Sequence, residues 1–238
     1  MFPLHDENPT RNQPIATPAI IIACVLTWFF LQGMGSHQAL ASSLCRFGLI
    51  PGKLFGLLPP GTSVQVGPGL YCVFEGSRSA YTLLTHMFMH GGWFHLIGNM
   101  WFLWVFGDNV EDALGPGRYV MFYVLCGLAA AAAQIMTNTA SPLPMVGASG
   151  AIGGIMGAYG RLYPYARVHT LLFFGFFFTT VSLPAIAMLG YWFVFQLIAG
   201  LPSLSGAGGG VAFWAHVGGF ACGFLLAPLF RRSEREWA

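Results

Sequence analysis

The sequence predicts an all-α, polytopic membrane bundle of six transmembrane helices. Three observations predict it. Of the 238 residues, 55% are hydrophobic and only 8% charged, against about 25% charged in soluble domains. Apolar runs recur six times, each near the roughly 20 residues that cross a bilayer as a helix. The few polar residues inside those runs gather toward one side of the membrane. So little charge excludes an ordinary soluble surface, and a mean hydropathy of +0.65 excludes disorder. A net charge of +2, with ten scattered Lys and Arg, excludes a nucleic-acid groove.

Residues 1–14 are polar, with Asp6, Glu7 and Arg11, and read as a tail without signal-peptide features. The membrane domain is expected over 15–230, with apolar runs at about 15–34, 87–106, 119–137, 146–163, 183–201 and 211–230. Residues 171–178 (LLFFGFFF) are also apolar. Pro184 is expected to part them from the fifth run, leaving 171–182 as an interfacial or re-entrant piece. The first connection, 35–86, is too long for a bare loop and should carry structure of its own. Residues 231–238 form the second tail. Cys24, Cys126 and Cys222 fall in apolar runs and read as small core residues. Cys45 and Cys72 share the first connection and could pair if it faces an oxidising compartment.

Six crossings put both termini on one side. That side carries Arg11, Arg118, Arg161, Arg167, Arg231, Arg232 and Arg235, and the other Arg46, Lys53 and Arg78. The positive-inside rule places both termini in the cytoplasm, which together with the tail composition suggests a bacterial inner membrane. The second, fourth and sixth spans then start at the outer surface.

A polar group in hydrocarbon costs several kcal/mol without a partner, so each one calls for a reason. They are His90, His95 and Asn99 in the second span, Gln134 in the third, Ser149 in the fourth, Gln196 in the fifth and His216 in the sixth. Gly91-Gly92 should break the second run, placing His95 and Asn99 in its first turns. At i, i+4 they share one helix face. Ser149 opens the fourth span and His216 lies near the start of the sixth. All four therefore lie at similar depth. Gly153 and Gly157 follow Ser149 at i+4 and i+8, and Gly219 and Gly223 follow His216 at i+3 and i+7. Such rows of small residues let membrane helices pack closely.

A serine beside a histidine is a nucleophile–base arrangement, and a positioned base supplies roughly 10²–10⁴ in rate. His95, Asn99 and the Ser149 N–H at a helix start are candidate donors to an oxyanion. No acid lies deep in any run, so a Ser–His dyad is expected. Glu75 is the one outer-side acid that could orient the base.

These residues stand in segments that resemble the rhomboid family of intramembrane serine proteases, over nearly the whole chain. HGGWFHLIGN (90–99) resembles the family's second-helix motif. GASGAIGG (147–154), with Gly147 and Gly150 around the serine, resembles its GxSG motif. AHVGGFACG (215–223) resembles its AHxxG motif, and GDNVED (107–112) is common among bacterial members. The resemblance implies that Ser149 is the nucleophile and His216 the base, with His95, Asn99 and the Ser149 amide as the oxyanion hole. It implies cleavage of single-span transmembrane substrates near the outer surface, without metal or other cofactor. Substrate would arrive sideways from the lipid bilayer. Many members carry a Trp-Arg pair in the first connection. Here Tyr81-Thr82 stand in its place, with Arg78 nearby, which leaves open how that element is anchored.

Each residue has a plainer alternative. Ser149 alone could be a helix cap, and His216 a core histidine. His95 and Asn99 could be an interhelical pair. His86, His90 and His95 suggest a metal site on spacing, but Gly91-Gly92 interrupts the face and no acid or cysteine completes the set. His90 is read as support for His95. The competing functions are a catalytically silent client-binding relative, which typically lacks the serine or histidine, and a transporter, which favours midplane acids and inverted repeats.

Overall fold

A computed structural model of the chain describes residues 1–67, 69–74, 78–175, 177–204 and 211–232. Nine α-helices and five strands occur among them. The main helices are α1 (Ala16–Phe30), α5 (Trp93–Leu114), α6 (Pro116–Thr137), α7 (Ser149–Leu162), α8 (Ala185–Leu204) and α9 (Phe213–Phe230). Each falls on one of the six apolar runs. By length and composition, α6, α8 and α9 are apolar enough to cross a membrane. Helices α1 and α7 have only 15 and 14 residues, and α5 carries His95, Asn99, Asp108 and Asn109 among its apolar residues.

Helix α5 begins where the sequence places it, with Gly92 extended before Trp93. Gly115, at φ +82°, ends it and turns the chain into α6, with Pro116 at the first helical position. That φ suits glycine, and proline suits a helix start.

The carboxylate of Glu111 closes the base of α1. It accepts from the N–H groups of Ile15, Ala16 and Thr17 at 2.7–2.8 Å, donors that have no acceptor within the helix. Asp112 binds the N–H groups of Arg11 and Asn12. The GDNVED segment thus fastens the N-terminal stretch to the end of α5.

The expectation of an all-α chain needs correction: the fold is mostly helical, with two small sheets. Residues 171–182 lie in a hairpin of β4 (Arg167–Phe174) and β5 (Phe177–Pro184), with Gly175 at φ +63° in its turn. β1 (Phe2–Asp6) adds to its edge in the order β1-β4-β5, so the N-terminal stretch is not a free tail. Runs of Phe, Thr and Val favour strand pairing, and the glycine turn sets the register. The sheet lies along α5: Phe2 stacks on Trp101 at 5.6 Å, and the Trp101 indole N–H donates to the Pro3 carbonyl. At its base Tyr159 donates to Asp6, and burial pushes the Asp6 carboxyl above its usual pKa.

The first connection does carry structure: α2 (His37–Phe47), α3 (Pro51–Leu54), the β2–β3 hairpin (Ser63–Gly67 and Leu70–Val73) and α4 (Thr82–Thr85). A disulfide joins Cys45 on α2 to Cys72 on β3, settling the pairing that the sequence left open. Tyr81 and Thr85 donate to the carbonyls of Arg46 and Phe47, at the end of α2. These bonds anchor the segment that lacks a Trp-Arg pair. Leu49 and Met145 exchange backbone hydrogen bonds, which ties the first connection to the loop before Ser149.

Two outcomes follow for the folded chain. Glu111→Ala strands three N–H donors and should lower stability by about 2–4 kcal/mol, read from thermal unfolding in detergent, with Glu111→Gln between it and the wild type. The denatured, unreduced protein should alkylate at Cys24, Cys126 and Cys222 only; opening the 27-residue link with reductant should cost about 3–4 kcal/mol.

Candidate active site

Helices α7 and α9 approach until their backbones touch. A Cβ on Gly219 would overlap the Gly150 carbonyl, and one on Gly223 the Gly154 carbonyl. On the facing helix, a Cβ on Gly157 would overlap the carbonyl of Phe220, and one on Gly153 would lie 3.1 Å from that of His216. The contact face is wider than the rows read from sequence, since Gly150 and Gly154 also belong to it.

This approach brings Ser149, the first residue of α7, against His216, the fourth of α9. His216 Nε2 lies 2.8 Å from Ser149 Oγ, an ordinary hydrogen-bond length. The other ring nitrogen, Nδ1, lies 2.8 Å from Gln196 Oε1 on α8. Trp192, one turn earlier on α8, packs over the imidazole with ring centroids 5.9 Å apart. The sequence singled out Gln196 as an intramembrane polar residue but gave it no role. No spacing rule links it to His216, because the two meet only through packing of α8 on α9. Glu75, the acid considered for that place, lies outside the described residues.

His95 and Asn99, on the first two turns of α5, complete the surroundings. His95 Nδ1 accepts from the Gly91 N–H at 3.2 Å, which assigns the ring proton to Nε2 and makes that nitrogen a donor. Gly147 has φ +131°, and a Cβ there would stand 2.8 Å from His95 Nε2 and 3.3 Å from Ser149 Oγ. The bare glycine keeps open a space that the histidine donor and the serine oxygen share. Asn99 is 8% exposed, and its Nδ2 is buried without a hydrogen-bond partner. A buried donor left unpaired is costly and is free for a ligand's acceptor. As the first residue of α7, Ser149 has a backbone N–H with no acceptor inside the helix.

His90 is fully buried beside His95, with ring centroids 5.3 Å apart and steeply tilted. Its backbone is bracketed by the Gln32 side chain, which donates to its carbonyl at 2.7 Å and accepts from its N–H at 2.8 Å. The His86 ring binds the Thr82 carbonyl, while its own carbonyl accepts from the Gly147 N–H at 2.9 Å. His86, His90 and His95 thus point to different tasks. No group of three or more metal-ligating side chains forms among the described residues.

A serine oxygen bonded to a histidine nitrogen, with the His95 donor at the space they share, has the groups that acyl transfer through a tetrahedral oxyanion requires. A family model described as "Rhomboid domain" matches residues 77–233. "RHOMBOID-like protein 1" of Arabidopsis thaliana is 28% identical over 226 residues, covering 91% of this chain and 53% of that protein. "Rhomboid protease GluP" of Bacillus subtilis is 31% identical over 147 residues, covering 62% of this chain and 25% of that one. "Rhomboid protein 1, mitochondrial" of Saccharomyces cerevisiae is 28% identical over 99 residues, covering 40% of this chain and 29% of the relative. The chain therefore spans about half the length of the first relative, and less of the other two.

Proposed function

The chain belongs to the rhomboid family and is an integral membrane protein; from that premise we propose that it is a serine endopeptidase acting within the bilayer. Its substrates are single-span transmembrane proteins, cut near the outer membrane surface. Ser149 is the nucleophile and His216 the base. The observation that carries this reading is the 2.8 Å approach of Ser149 Oγ to His216 Nε2 at the N-terminal ends of α7 and α9.

In this reading residues 15–230 form one membrane domain, crossing six times through α1, α5, α6, α7, α8 and α9. Both termini lie in the cytoplasm, by the arginine distribution, and the membrane is a bacterial inner membrane. The 14 residues of α7 rise only about 21 Å, against a hydrocarbon core of about 30 Å. With its far end at the inner boundary, Ser149 sits roughly 9 Å below the outer one. Water reaches that depth from outside, and a substrate helix approaches through the lipid.

The reaction follows from the hydrogen bonds. Ser149 Oγ attacks the substrate carbonyl carbon while its proton passes to His216 Nε2. The oxyanion accepts from the Ser149 N–H, His95 Nε2–H and Asn99 Nδ2–H. His216 then gives the proton to the departing amine, leaving an acyl ester on Ser149. Water, deprotonated by the same nitrogen, hydrolyses that ester. No step needs a metal or a cofactor. Gly147, Gly150, Gly153, Gly157, Gly219 and Gly223 support the site by allowing the close approach, and His90 backs the His95 ring.

The test is proteolysis in liposomes with a fluorogenic single-span substrate and a chelator present. Wild-type protein should cleave, and Ser149→Ala and His216→Ala should each fall to background while staying folded. Asn99→Ala should lose about 10²-fold, the scale of one oxyanion donor; a normal rate would remove Asn99 from the site. Gly147→Ala, which must crowd His95 and Ser149, should lose at least about tenfold on the same scale. Cleavage that survives Ser149→Ala, or fails in the chelator, would overturn the serine mechanism.

A further inference from the structure

We propose that Gln196 is a positioning residue that completes a Ser149–His216–Gln196 arrangement by fixing the tautomer of His216. The inference rests on the protease reading of the site and adds to it a third member carried by α8.

An imidazole presents two distinct nitrogens, and the bond made by one sets the role of the other. His216 faces Ser149 Oγ with Nε2. To take the serine proton, Nε2 must carry a lone pair, so the ring proton must sit on Nδ1. A proton on Nδ1 needs an acceptor, because the ring lies against Trp192 and Phe213, neither of which offers one. The group within reach of Nδ1 is Gln196 Oε1, at 2.8 Å. With the amide in this orientation Nδ1–H donates to the carbonyl oxygen, and Nε2 is left as the base. Turned over, the amide NH₂ would donate to Nδ1, move the proton to Nε2 and leave the site without an acceptor for the serine proton.

The choice of residue fits the location. Gln196 is 6% exposed on one of the helices apolar enough to cross a membrane. A carboxylate there would require a buried charge, which is expensive in hydrocarbon. The carboxamide supplies an oriented acceptor at no net charge, the role an asparagine plays beside histidine in some cysteine proteases. During the reaction, as Nε2 gains the serine proton, the Nδ1–H bond to Gln196 persists and holds the ring in plane with Ser149. Trp192, one turn away on the same helix, limits tilting of the ring. Across the site, the titratable side chain beside Ser149 is His95 on α5.

The experiment combines kinetics with a direct reading of the tautomer, both on the full chain in bilayers. Nitrogen-15 spectra of labelled histidine, with His216 assigned by difference against His216→Ala, should show the proton on Nδ1. Gln196→Met removes the acceptor at similar volume. It should lower kcat about 10- to 10²-fold, part of what a positioned base supplies, with KM within about twofold and both His216 tautomers populated. Gln196→Glu restores an acceptor and should recover the rate lost in Gln196→Met. Its carboxylate favours the imidazolium, so the acid limb of the kcat/KM profile should move to higher pH by about one unit. Thermal unfolding identifies any variant that has merely lost its fold, and the wild-type tautomer decides the question without one. A proton on Nε2 of His216 in the wild type, or a wild-type rate in Gln196→Met, overturns the proposal while leaving the protease reading intact. A wild-type protein that cleaves no substrate overturns both.

Discussion

The site depends on one contact, the backbone-to-backbone approach of α7 and α9. Ser149 and His216 are 67 residues apart, and no local rule brings them together. They meet because Gly150, Gly154, Gly157, Gly219 and Gly223 let each helix lie on the other's carbonyls. In a membrane the helices gain little from hydrophobic exclusion, so close van der Waals contact must hold them. A Cβ on Gly157, Gly219 or Gly223 would separate the helices, and the serine–histidine bond with them, while one on Gly150 or Gly154 would first meet Ala130 or Cys126 on α6. The glycines therefore set a distance as well as a packing energy.

Other parts of the fold fix what that seam leaves free. The seam positions Ser149 and His216, but His95 and Asn99 come from α5, whose start must be fixed separately. Gly92 starts that helix, and Gln32, at the end of α1, grips the His90 backbone just before it. The carbonyl of His86 holds the N–H of Gly147, so the segment leading into α5 also shapes the turn leading into α7. At the opposite end, Glu111 clamps the base of α1 to α5. The two grips lie near opposite ends of α5 and resist its sliding along the bundle. The same logic places Gln196, whose reach to His216 depends on α8 lying against α9.

Much of this was legible in the sequence because it is periodic or local. Each apolar run overlaps one of the main helices, since burial in lipid demands long uninterrupted stretches, although α5 runs eight residues past the end of its run. The glycine break before Trp93 and the i, i+4 pair of His95 and Asn99 were readable because helix geometry is fixed. The strands were harder to see. LLFFGFFF is apolar enough for a helix, and its Phe-rich composition with a central glycine is decided by whether a partner strand is present. That partner includes Phe2–Asp6, more than 160 residues away, in a stretch whose polarity suggested a tail. The Cys45–Cys72 link was an open possibility for the same reason: pairing requires that α2 and β3 meet.

By itself, then, the sequence determined a membrane bundle, the family it resembles, and a set of polar residues whose types suit acyl transfer. Those follow from transfer energetics and helical periodicity, which act on neighbours along the chain. The tertiary structure alone decided which nitrogen of His216 faces Ser149, that Gln196 meets the other, and that Gly147 keeps open the space beside His95. It also decided that the N-terminal segment pairs as a strand. These are contacts between segments far apart in sequence, fixed to within tenths of an ångström by packing, and hydrogen-bond geometry at that scale leaves no periodic trace in the chain.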